Sequence, residues 1–202
     1  MLRVNAFDTI RRLFYGFDCW PYKDEIIYIN PREIVGKVDP KCMRRFKIKA
    51  FCNNSSVTAD VLTRKLKYVD IYHTGFYQSL YMHFVEGSQW SDTPTYKALL
   101  KKIKDGNPSH DAPDESQLNT RYKRIDIIFK DIVKKQWMSE NKKDLVMISI
   151  AEDGSFFWGP DGRHRVAMAL IAGLDLMPAR VGFIHPSAIE TFKKVRTHRV
   201  AE

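Results

Sequence analysis

At 202 residues, with 44% hydrophobic and 28% charged side chains, the chain is long enough to bury a core without disulfides and too apolar to be disordered. Lys plus Arg number 33 against 24 Asp plus Glu, a formal charge of +9, which favours anionic partners without choosing among nucleotides, nucleic acid and an acidic surface. Cys19, Cys42 and Cys52 have neither disulfide-framework nor zinc spacing, residues 1–16 lack an unbroken apolar run of signal-peptide length, and no stretch is apolar enough to span a bilayer, so a cytoplasmic protein without membrane contact is expected.

Residues 5–14 carry Phe7, Ile10, Leu13 and Phe14 on one side, which predicts a short amphipathic helix capped by Asn5 and ended by Gly16. The run Glu25-Ile26-Ile27-Tyr28-Ile29-Asn30 predicts a strand that stops at Pro31, followed by a turn or one short helix through Ile34. Lys41, Arg44, Arg45, Lys47 and Lys49 form a basic cluster with Met43, Phe46 and Ile48, where alternation permits a strand, and Asn53-Asn54-Ser55-Ser56 reads as a turn or loop. Residues 61–72 carry no clear signal. Asp92-Thr93-Pro94 predicts a helix start, with Asp92 as the cap and Pro94 at the first helical position. Tyr96, Leu99, Leu100 and Ile103 supply its apolar stripe and Gly106 its end. A second helix starts near residues 114–116, repeats Leu118, Tyr122, Ile125, Phe129 and Ile132, and reaches about Trp137. The two are expected to be neighbours.

Residues 145–150 predict a strand, Glu152-Asp153-Gly154 a hairpin turn, and residues 155–158 the return strand. Gly159-Pro160-Asp161-Gly162 breaks it. A helix from about Arg163 to Ala172 follows, with Val166, Ala169 and Leu170 inward and Gly173 past its end, and residues 178–184 return as a strand.

The helix entrance carries the chemistry. Asp161 can cap the first turn, Gly162 permits close approach to the backbone, and the free N–H groups with the helix dipole attract an anion. Arg163, His164 and Arg165 crowd cation-type side chains at an N-terminus that disfavours them, which makes better sense if a bound anion offsets them than if they only pair with surface carboxylates. Elsewhere, His83 and Glu86 stand three apart and would share a face if helical, as a catalytic pair or a surface pair. Asp126 lies beside an apolar stripe and is expected to be buried against an arginine. Trp90 and Trp158 offer rings to a nucleobase, with core packing the plainer role for Trp158.

The order strand, D-G-x-H-R, helix, x-P-A-R-V strand resembles the ParB/sulfiredoxin superfamily over Leu145 to Ile184, and Ile26 to Ile34 resembles that family's first strand. His83-Phe84-Val85-Glu86-Gly87 with Trp90, Asp92-Thr93 and Tyr96 resembles a less characterised branch of it. The resemblance implies a small mixed sheet with packed helices, α/β or α+β, in a single domain over 1–202. Its core would be 25–34 and 145–184, with a largely helical insertion at about 35–140. Arg163 stands where sulfiredoxin has its catalytic Cys, which removes that chemistry, and the residues after Ile184 are too few for the DNA-reading module of partition ParB proteins. Free-serine kinases of this fold carry D-G-H-H-R, closest to Asp161-Gly162-Arg163-His164-Arg165. That likeness implies ATP or ADP phosphates with Mg²⁺ at this turn, with CTP implied instead by the related box of partition ParB proteins, a small hydroxyl substrate, and Glu33 as the positional match for the catalytic carboxylate. The expectation is a nucleotide-dependent phosphotransferase. Two alternatives stand beside it: a nucleic-acid-associated protein using the basic surface, and a nucleotide-binding module without turnover.

Overall fold

The computed structural model describes Leu13, Gly16, Pro21 and Glu25 to Val38, then 56–57, 68–109, 112–141, 143–159 and 162–197. The expected helix at 5–14 (Leu13 apart), the basic cluster at 41–49 and Asp161 lie outside the described residues. The chain is a mixed α+β protein with two compact units. One comprises Met1–Asp70, Ser139–Arg163 and Asp175–Glu202, and the other Ile71–Met138 and His164–Leu174.

The first unit holds a mixed sheet of β1 (Ile26–Ile29), β2 (Ile34–Val38), β3 (Ser56–Val57), β4 (Tyr68–Val69), β5 (Val146–Ile150), β6 (Phe156–Trp158) and β7 (Met177–Ile184). The order is β1-β7-β5-β6-β2-β4, and β3 adds in parallel to the end of β7 through Ser56↔Phe183. All five residues of β5 are buried, as a near-continuous apolar run in a central strand requires. It turns into β6 through Gly154 at φ 84°, with Asp153 Oδ1 accepting from the Ser155 N–H at 3.0 Å. Asn30 ends β1 by accepting from the Arg32 N–H at 2.9 Å, which caps the single 3₁₀ turn Pro31–Glu33. The stretch before residue 71 thus adds short strands to the sheet, and the helical part of the expected insertion begins at Ile71.

The parallel β5–β7 pairing slips by one residue between Ile148↔Val181 and Ile150↔Ile184. Ser149, fully buried at the slip, accepts the Phe183 N–H at 3.0 Å and so replaces the lost ladder bond. A Cβ on Gly182 would stand 2.6 Å from Ser149 Oγ and 2.9 Å from Met147 Cγ, so this crossing admits only glycine without rearrangement. Helix α5, numbered in chain order (Ile189–Thr197), lies against β1, with Phe192 fully buried and Arg196 gripping Glu25 with two guanidinium nitrogens, Nη2 to Oε2 at 2.9 Å.

The second unit is built on α1 (Gly75–Phe84), α2 (Pro94–Lys104) and α3 (Glu115–Lys135). Helix α3 starts as its sequence dictates, with Asp114 Oδ1 accepting from the Gln117 N–H at 2.8 Å, and buries Leu118, Tyr122, Ile125 and Ile132. Helices α2 and α3 are neighbours, joined by Tyr96 donating to Asn119 Oδ1 at 2.7 Å. The entry to α2 differs from the sequence expectation. Asp92 is exposed inside a 3₁₀ turn, Thr93 takes the cap position without a side-chain cap bond, and Pro94 is the first helical residue. The acceptor comes instead from α1, where buried Ser79 Oγ takes the Thr95 N–H at 2.9 Å. Thr93 is fully buried, and its hydroxyl donates to Trp90 O at 2.7 Å, which turns it toward the preceding 3₁₀ turn.

Candidate functional site

Helix α4 (Arg163–Ile171) opens immediately after Gly162, and its first turn contains no acidic residue. Gly162 sits at φ +90°, a conformation that L-residues avoid, and is pressed onto β5: an added Cβ would lie 2.8 Å from Val146 Cγ2 and 3.0 Å from Val146 Cα. The turn is therefore fixed on the central strand by a residue without a side chain. Arg163 is exposed, whereas His164 and Arg165 are half-buried. The His164 ring lies 5.9 Å from that of Phe76 on α1, within the second unit, so this member of the motif packs on an aromatic ring. The helix body is apolar and tight, with Val166, Ala167, Met168 and Ala169 buried and Leu170 half-buried. It closes at Gly173, φ +70°, with the Leu174 N–H reaching back to Ala169 O at 3.0 Å.

Strand alternation separates Arg180 from this turn. Val146 is in register with Ala179, so the next residue on β7 projects from the opposite face, where Arg180 Nε is buried without a hydrogen-bond partner.

The carboxylate candidates belong to different units. Glu33 is exposed in the 3₁₀ turn of the sheet unit. Glu86 belongs to the helical unit and is exposed, two residues beyond the last residue of α1, so His83 and Glu86 do not form a helical i,i+3 pair. His83 is instead bound to Asp126 of α3, Nε2 to Oδ1 at 3.1 Å, with Nδ1 at 2.7 Å from Ser88 O. The same Oδ1 accepts from Trp90 Nε1 at 2.9 Å, and the Trp90 ring stacks on His83 at 3.9 Å between centroids. The expectation that Asp126 pairs with an arginine is thus corrected: its donors are a histidine and an indole, brought to it by the turn that follows α1. Both His83 nitrogens face acceptors, so the ring clasps residues 85–90 onto α3 and has no free nitrogen to offer a substrate. Trp158 is fully buried in β6, in its expected core role, and His185 ends β7 by accepting from the Ser187 N–H at 3.2 Å.

Two hollows line α3. Gln117, Thr120, Arg121 and Arg124 border one of about 590 Å³, and His83, Phe84, Asp126, Phe129, Lys130, Val133 and Lys134 border another of about 590 Å³. Neither was legible as a site in the sequence; the first shows only the i, i+3, i+4, i+7 spacing of polar residues that any solvated helix face shows. Among the described residues no group of three His, Cys, Asp or Glu side chains is arranged to hold a metal ion, and no helix is long and apolar enough to cross a membrane. No family model, no curated protein and no solved structure matches this chain.

Proposed function

We propose that the protein is a nucleotide-dependent phosphotransferase that receives the phosphates of ATP, ADP or CTP at the first turn of α4, in the manner that the ParB/sulfiredoxin-like D-G-x-H-R motif implies. The observation that carries this reading is the fixation of Gly162 on Val146, with a helix N-terminus bearing Arg163, His164 and Arg165 directly behind it. Such a turn offers backbone N–H groups and guanidinium forks to an anion without a compensating carboxylate in its own first turn. Mg²⁺ would arrive on the nucleotide and be held chiefly by phosphate oxygens. The acceptor is a small hydroxyl compound, whose proton passes to Glu33 or Glu86. His83, already engaged on both nitrogens, serves as a structural clasp in this scheme. The setting is the cytoplasm.

Calorimetric titration of ATP, ADP and CTP with Mg²⁺ tests the reading. Wild type is expected to bind one of them saturably and Arg165→Ala to lose it, while Glu33→Ala or Glu86→Ala keeps binding and stops turnover. No binding by the wild type removes the phosphotransferase, and binding without turnover on a hydroxyl-substrate screen leaves a nucleotide-binding module. A second reading, association with nucleic acid, is favoured by Arg121 and Arg124 beside Gln117 and Thr120 in one open hollow of α3. Retention of single- or double-stranded DNA that falls steeply with salt supports it, and no retention at low salt removes it.

A further inference from the structure

The hollow at His83 and Phe84 goes beyond any nucleotide chemistry. Asp126, Phe129, Lys130, Val133 and Lys134 stand at i, i+3, i+4, i+7 and i+8 on α3, which puts them on one face extending roughly 12 Å along the helix. Its floor is apolar. Phe129 stacks on Phe84 at 3.8 Å between centroids, and both rings are only half-buried although Phe129 belongs to the stripe that buries Tyr122, Ile125 and Ile132. Val133 is 44% exposed and Ile127, on the lysine side of the same face, 68% exposed. The rim is cationic. Lys135 pairs with Asp131 at 2.9 Å, whereas Lys130 and Lys134, one turn apart, have no ion-pair partner among the described residues.

We propose that this groove docks an acidic amphipathic helix of a partner protein, with two or three apolar side chains set on Phe84, Phe129 and Val133 and carboxylates one turn apart facing Lys130 and Lys134. The length of the face matches two turns of a helix, and the charge on its rim selects acidic over basic segments. A nucleic acid strand fits less well. Its floor has one aliphatic side chain, and its two phenyl rings each cover one face of the other, which leaves little ring face for bases to stack on. The Asp126 clasp gives the groove a rigid wall, because His83 and Trp90 hold the turn after α1 in place.

The probe is a fluorescein-labelled synthetic helix of about five turns with Leu at i, i+3, i+4 and i+7 and Glu on its flanks, titrated by anisotropy into the full chain. A control peptide carries Lys in place of each Glu. Saturable binding of the Glu peptide, at least about tenfold tighter than the Lys peptide, is expected. Lys130→Glu with Lys134→Glu should reverse that preference, and Val133→Asp should abolish binding. All three positions are exposed, so an unchanged thermal melt checks that the fold is kept. Equal affinity for both peptides, or indifference to the lysine reversal, overturns the proposal. Displacement of the Glu peptide by oligo-dT overturns it in favour of nucleic acid. Self-association that Val133→Asp dissolves, with no peptide binding, overturns it in favour of a second copy of this chain.

Discussion

Replacing Gly162 by alanine tests whether the helix entrance is held where the geometry puts it. At φ +90° an L-residue pays backbone strain of about 1–3 kcal/mol. The new methyl meets Val146 Cγ2 at 2.8 Å and Val146 Cα at 3.0 Å. Because the second contact is to the backbone of a fully buried central strand, the side chain cannot simply rotate away, and overpacking of this kind costs about 1–3 kcal/mol more. Gly162→Ala should therefore destabilise the protein by roughly 2–6 kcal/mol in urea unfolding at constant m-value. Gly162→Asn separates the two causes. Asparagine tolerates positive φ but carries the same Cβ, so it should recover about 1 kcal/mol if strain dominates and nothing if the Val146 contact does. If Gly162→Ala unfolds within about 0.5 kcal/mol of wild type, the turn is not pinned on β5 and the reasoning fails.

Ser79→Ala removes the acceptor for the Thr95 N–H at the start of α2 and should cost about 1–2 kcal/mol in the same assay, more than Asp92→Ala, which should stay within about 0.5 kcal/mol. The reverse ranking would restore Asp92 as the cap. Asp126→Ala leaves His83 Nε2 and Trp90 Nε1 without their shared acceptor and should destabilise by about 1–3 kcal/mol. A double-mutant cycle with His83→Ala should give a coupling of about 0.5–1.5 kcal/mol, and strict additivity would show that the clasp carries no energy.

Much of the architecture was legible because its determinants are local. The apolar run of β5, the turn at Gly154, the Asp114 cap and stripe of α3, and Gly173 beyond α4 each act through bonds spanning four or five residues or through a short period, so the sequence near them specifies them. Position in the sheet was not local. β2 lies beside β6 in parallel, and the pairs β1–β7 and β3–β7 join strands more than a hundred residues apart, a choice no short pattern encodes. The candidate site divides along the same line. D-G-R-H-R and its helix were readable as a motif, because caps and glycines announce a helix start. Tertiary structure alone decided that Gly162 rests on Val146, that Ser79 replaces Asp92 as the cap of α2, and that His83 turns to Asp126 instead of Glu86. In each case a buried or half-buried polar atom, or a backbone without room for a side chain, takes its partner from 16 or more residues away. Burial makes such a partner obligatory, and the folded chain determines which residue supplies it.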